Sequence, residues 1–130
     1  MDHDEWDEGP TVGLHADDLL YVTTRQLAAA VVVAAAGEID LATVDTLAVA
    51  VRAALDTHAG MVVIDLTEVQ FLASTGLSVL VEAERAAGEN SQLLRVVAGE
   101  HHAVARSLEM SGLADHLTVC TNLEAALRAA

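Results

Sequence analysis

Two rhythms of apolar residues run along this chain. The first consists of short unbroken runs: "LAAAVVVAAA" (Leu27 to Ala36), "MVVIDL" (Met61 to Leu66), "QLLRVV" (Gln92 to Val97) and "LTVC" (Leu117 to Cys120). Valine-rich runs this short, bounded by glycine or polar residues, predict strands buried on both faces. "DLLYVTTRQ" just upstream also has strand character. The second rhythm is helical. Leu41, Val44, Leu47, Val51 and Leu55 recur at three- and four-residue intervals and predict a helix with one apolar face, closed by Gly60. "STGLSVLVEAERAAG" predicts a second helix ending at Gly88, "EHHAVARSLEMSG" a third, and "NLEAALRAA" a last one capped by Thr121 or Asn122. Strands alternating with helices of this length require crossover connections, so the expected class is α/β with a mainly parallel sheet.

At 130 residues the chain fits one domain. Residues 1–16, acidic and polar, are expected to form a disordered tail ahead of a domain spanning 17–130; Trp6 has no packing partner legible in that tail. The ten-residue apolar run falls short of the roughly 20 residues that span a bilayer, and the acidic amino terminus does not resemble a secretion signal, so a cytoplasmic location is expected. Net charge is −14, with six arginines and no lysine. Such a field repels nucleic acid and anionic membranes, and the scarcity of aromatic residues removes the means of stacking on bases. A protein partner with a basic patch fits better.

Candidate chemistry is sparse. Cys120 cannot form an internal disulfide and reads as a buried structural thiol. His3, His15, His58 and His116 are scattered, and the adjacent His101 and His102 point about 100° apart on a helix, so no metal is expected. Asp40 and Asp65 sit where turn and cap roles explain them. Met110 and Leu113 read as core residues around a carboxyl-capping Gly112. No nucleophile–base–acid set and no glycine-rich phosphate loop is present, so no enzymatic activity and no cofactor are expected.

The junction "FLASTGLSVL" (Phe71 to Leu80) remains. It lies where a strand hands over to a helix, at the sheet edge where α/β domains meet ligands and partners. Ser74 or Thr75 could cap that helix, a contribution of about 1 kcal/mol, although no glutamate or glutamine comes three residues later to complete a capping box. A hydroxyl at a helix amino terminus is also a place where a phosphate is locally tolerated. It would add roughly −1.5 to −2 charges to one patch without disturbing the fold.

"VVIDLTEVQFLASTGLSVLVEA" resembles the signature of the STAS domains of anti-sigma factor antagonists. The likeness extends to "GEIDLATVDTLAVAV" upstream and "RSLEMSGLADHLTVCTNLEAAL" downstream, so it covers nearly the whole chain from Asp17 onward, in order. It implies a single STAS-type α/β domain: a mostly parallel four- to five-stranded sheet with about four helices packed mainly on one face. It also implies an antagonist that binds a kinase-like anti-sigma factor, releases a sigma factor, and is switched off when the partner phosphorylates it using its own ATP and magnesium. A phosphatase would reset the switch. Thr75 matches the phosphoacceptor and Ser74 the neighbouring serine. Asp40, Leu41 and Thr43 match the partner-contacting loop, with Ser74, Thr75, Gly76 and Leu77 at the helix start. Gly76 would let the partner approach. One departure stands out: the family's aspartate two residues before the acceptor is Ala73 here. That leaves open an antagonist without phosphoregulation, or a STAS domain that senses a small ligand at the same edge.

Overall fold

The computed structural model describes residues 12–16, 19–100 and 102–128. In chain order these form β1 (Val12–Ala16), β2 (Leu20–Gln26), β3 (Ala30–Ile39), α1 (Val44–Asp56), β4 (Met61–Leu72), α2 (Ser74–Glu89), β5 (Leu93–Val97), α3 (His102–Ser111), β6 (Val119–Cys120) and α4 (Leu123–Arg128), with a 3-10 turn at Leu113–Asp115. The sheet has six strands in sequence order. β1, β2 and β3 pair antiparallel, and β3 to β6 pair parallel through the helical crossovers. The α/β domain implied by the sequence is thus present, with more strands than expected. The surplus arises partly because Val12–Ala16, read as the end of the tail, pair with Leu20–Thr24 as an edge strand. Tyr21 helps hold that edge: its ring lies where any side chain on Gly13 would have to go. Trp6 and His3 lie outside the described residues, as does His101.

Strand alternation sorts side chains onto two faces. Leu20, Val22, Val31, Val33, Ala35, Val62, Ile64, Leu66, Leu94 and Val96 point to one face and form the main core with α1, α2 and α3. Leu47, Val51 and Leu55 of α1 and Leu80, Ala83 and Ala87 of α2 are the helical stripes that meet it. The opposite face carries a smaller cluster, Ala30, Val32, Met61, Val63 and Val97, covered by Ala126, Leu123 and Leu127 of α4 with Leu27. Cys120 is half-buried against that second cluster. Three helices therefore lie on one face and one on the other.

β4 is two residues longer than β3, and the register between them slips twice, between Ala34 and Ala36 and between Gly37 and Glu38. These bulges let Val69 and Leu72, which an unbroken alternation would send to opposite faces, both enter the main core.

Helix ends depart from expectation. The left-handed residues after α1 and α2 are His58 (φ 62°) and Ser91 (φ 59°), not Gly60 and Gly88; Gly88 lies inside α2, which runs on to Glu89. After α3, Gly112 adopts φ 81° as predicted. Met110, expected in the core, is 81% exposed, while Leu113 packs against it. The Asn122 side chain caps α4, accepting the Ala125 N–H at 2.8 Å.

Candidate functional site

The ends of β3 and β4 meet as neighbours: Ile39 pairs with Leu72, and the Ala73 N–H donates to the Ile39 carbonyl at 2.9 Å. That bond ties the loop leading into α1 to the first turn of α2. Residues 40–43 are thereby set beside residues 73–75 at the carboxyl edge of the sheet. A third element joins them, since the Ser107 hydroxyl of α3 donates to the Leu72 carbonyl at 3.3 Å.

The 40–43 loop is held from within. The Asp40 carboxylate accepts the N–H groups of Ala42 (2.9 Å) and Thr43 (3.1 Å), closing an Asx turn. Thr43 is buried; its hydroxyl donates to the Glu38 carbonyl at 2.8 Å and accepts the Asp40 N–H at 2.9 Å. Thr43 thus shapes the loop from inside and offers no surface to a partner, contrary to the role drawn from the resemblance. What the turn presents outward is Leu41, 80% exposed. The sequence pattern had placed Leu41 on the apolar face of α1, but that helix begins three residues later.

At the start of α2 the capping reading fails. The N-cap is Ala73, with extended backbone (φ −81°, ψ 170°) and no side chain able to accept. Ser74 is exposed, and its carbonyl receives the Ser78 hydroxyl at 3.3 Å. The Thr75 hydroxyl is buried with no hydrogen-bond partner among the described residues. The amides of Ser74 and Thr75 likewise find no acceptor among those residues, whereas Gly76 and Leu77 donate to the Ala73 carbonyl. Buried polar groups are nearly always paired, so an idle hydroxyl beside two open donors is unusual. An anion placed there would meet those donors and the positive end of a 16-residue helix.

Gly76 is buried and serves packing. A Cβ there would lie 2.5 Å from Leu72 Cδ1 and 2.8 Å from Ile39 Cγ2, so its absence lets α2 sit down on the ends of β3 and β4. It faces the core and not a partner. Leu77 is half-buried against the same core. Phe71, which composition would place inside, is 51% exposed at this edge. It pairs with Glu38, beyond the second bulge, and a bulge has no periodic signature in sequence.

Elsewhere, Asp65 accepts the backbone and hydroxyl donors of Thr67, a turn role. A groove of about 350 Å³ runs between α1 and α2, lined by Val51, Arg52, Leu55, Ser78, Val79 and Arg85 among others. On its rim, Glu82 and then Glu89 hold the Arg85 guanidinium above its usual pKa. Among the described residues no cluster of His, Cys, Asp and Glu could hold a metal ion. No helix among them is long and apolar enough to cross a membrane.

The family model described as "Mlab, STAS domain" matches residues 22–124. The chain is similar to an anti-sigma factor antagonist from Mycobacterium paratuberculosis, with 31% identity, a TM-score of 0.80, and coverage of 89% of this chain and 97% of that one. At the level of fold it is also similar to the unphosphorylated anti-sigma factor antagonist SpoIIAA (19% identity, TM-score 0.65, 82% and 94% covered). RsbS from Moorella thermoacetica is a further likeness of fold (18% identity, TM-score 0.63, 92% and 92% covered). No curated protein sequence matches. With four-fifths of its length inside the family model and the edge built from the motif's own residues, the chain belongs to the STAS domain family.

Proposed function

We propose that this protein is an anti-sigma factor antagonist that binds a kinase-like anti-sigma factor at the edge formed by Asp40, Leu41, Ser74 and Thr75, frees a sigma factor, and is released when Thr75 is phosphorylated. The observation that carries this reading is the state of the first turn of α2: a hydroxyl that caps nothing, beside two amides without acceptors. Rotation about the Cα–Cβ bond would bring the Thr75 hydroxyl out to an incoming phosphoryl group, and the open amides would then face the product. The likeness to the mycobacterial antagonist supports the partner class. A phosphate on Thr75 would add roughly −1.5 to −2 charges against a partner in close contact. One unit charge at 4 Å is worth ~4 kcal/mol at an effective dielectric near 20, nearly a thousandfold in affinity. ATP and magnesium belong to the partner, and a phosphatase would restore the hydroxyl.

A second reading is favoured by Ala73 and by the burial of the Thr75 hydroxyl: the same binding edge in an antagonist that is never phosphorylated. One experiment separates the two. Wild type and Thr75→Glu are titrated against the host's kinase-like anti-sigma factors, with intact mass after incubation with ATP and magnesium. Binding lost in Thr75→Glu, with a single phosphate mapped to Thr75, supports the switch. Binding without phosphate supports the unswitched antagonist, and no binding to any of them refutes both.

A further inference from the structure

One peptide group carries the hand-over from β4 to α2, and it is gripped from both sides. Its N–H, that of Ala73, donates to the Ile39 carbonyl of β3 at 2.9 Å. Its carbonyl, that of Leu72, points the opposite way across the trans peptide and accepts the Ser107 hydroxyl of α3 at 3.3 Å. The pairing of β4 with β5 ends at Asp65 and Val97, so the rest of β4, Leu66–Leu72, has a strand on the β3 side only. α3 takes the other side, packed on β4 and anchored in the main core by Val104 and Leu108. Ser107 lies between those two buried anchors, so its hydroxyl is carried on a rigid support.

We propose that Ser107 is a positioning residue for the acceptor hydroxyl. Acting through the Leu72 carbonyl, it fixes the 72–73 peptide and with it the first turn of α2, so that α3 sets how Thr75 is presented. This rests on the reading of Thr75 as the phosphoacceptor. An N-cap side chain would ordinarily hold the amides of such a turn, and Ala73 has none that can accept. The hold therefore passes to the peptide just before the turn. Gly76 and Leu77 both donate to the Ala73 carbonyl, so a shift of Ala73 is passed directly to the residues around Thr75. The 40–43 loop is held separately by the bonds of Asp40 and Thr43, so Ser107 bears on transfer and not on docking. In the transfer, Thr75 Oγ1 bonds to the γ-phosphorus of the partner's ATP, the bond from that phosphorus to the ADP oxygen breaks, and the hydroxyl proton leaves to solvent. The reacting atoms must first come within about 3–3.5 Å and in line, which makes the rate sensitive to small displacements of the turn.

Ser107→Ala is compared with wild type, with Ser107→Thr, which keeps the hydroxyl, and with Met110→Ala, an exposed position on the same helix. Two quantities are measured: amide hydrogen exchange of the free protein, and steady-state phosphorylation of Thr75 by the host's kinase-like anti-sigma factors. A neutral hydrogen bond biases an equilibrium by about 2- to 5-fold. In Ser107→Ala the Gly76 and Leu77 amides should therefore exchange ~2- to 5-fold faster, with Ala86 and Ala87 at the far end of α2 unchanged. Its kcat should fall by ~2- to 5-fold at a KM within ~2-fold of wild type. Ser107→Thr and Met110→Ala should match wild type in both measurements. Unchanged exchange at Gly76 and Leu77 in Ser107→Ala overturns the proposal whatever the partner does. So does faster exchange with kcat unchanged, a loss that Met110→Ala shares, or a loss that Ser107→Thr does not restore. Failure of the underlying reading shows itself differently: wild type then gains no phosphate on Thr75 from any of these kinases, and the role of Ser107 falls with it.

Discussion

Replacing Ala73 by aspartate restores the residue typical of the family and tests how the first turn of α2 is held. Ala73 already has the extended backbone of an N-cap, so no rearrangement is needed. An aspartate oxygen there would accept the N–H of Thr75, one of the two open donors. The cap contributes about 1 kcal/mol. Favourable interaction with the helix dipole adds ~0.3–1 kcal/mol; α2 has no acid in its first turn to supply this already. Repulsion from the Asp40 carboxylate on the adjoining loop and from a net charge of −14 works against the second contribution and roughly offsets it. The net expectation for Ala73→Asp is a gain of about 1 kcal/mol, or ~4 °C in Tm for a chain of this size. It would be measured by urea denaturation as a raised midpoint at unchanged slope. Ala73→Asn supplies the same cap without the charge and should gain a similar amount, less sensitive to salt. If neither variant raises the midpoint, the open amides are already satisfied and the capping argument for this turn is wrong.

Three further outcomes rest on particular contacts. Gln92 is buried and its amide donates to the carbonyls of Leu55 (3.1 Å) and Ala59 (2.9 Å); Leu55 keeps the His58 N–H, so Gln92→Leu removes two bonds but takes the last side-chain donor only from Ala59, and should cost about 1 kcal/mol, read as a lowered urea midpoint. Gly37 sits at φ +122° with the Leu19 carbonyl where a Cβ would go, so Gly37→Ala should cost at least ~2 kcal/mol, and a wild-type melting curve would contradict the backbone described for β3. Leu41→Asp should leave stability unchanged, because the side chain is 80% exposed, yet weaken binding to the proposed anti-sigma partner at least ~10-fold in a titration. Unchanged affinity would move the interface away from this loop.

How much of this was legible beforehand depends on how local the determinant is. Helical stripes such as Leu47, Val51 and Leu55, and buried runs such as Val31 to Val33, are set by short-range periodicity, and all of them lie in the core. Edge strand β1 was missed because pairing with β2 is a tertiary fact that five unremarkable residues do not advertise. The left-handed closures fell to His58 and Ser91 and not to the glycines that propensity favours, so propensity alone did not locate them. At the edge, the motif brought Asp40 and Thr75 into consideration. It could not show that Thr43 is turned inward, that Gly76 serves a core contact, or that neither hydroxyl caps α2. Those depend on which way side chains point once β3 and β4 are in register.

The two slips between β3 and β4 have a consequence for how sequences of this kind can drift. Each slip absorbs one surplus residue on β4, so deleting that residue, Gln70 for instance, would place Val69 and Leu72 on the core face by plain alternation and keep Leu72 opposite Ile39. The stretch from Leu66 to Leu72 can therefore change length by one residue at a slip without turning its core side chains outward. The same change within Met61–Asp65, which pairs residue for residue with Ala30–Ala34, would exchange the faces of Val62 and Ile64 and is the one the core rejects.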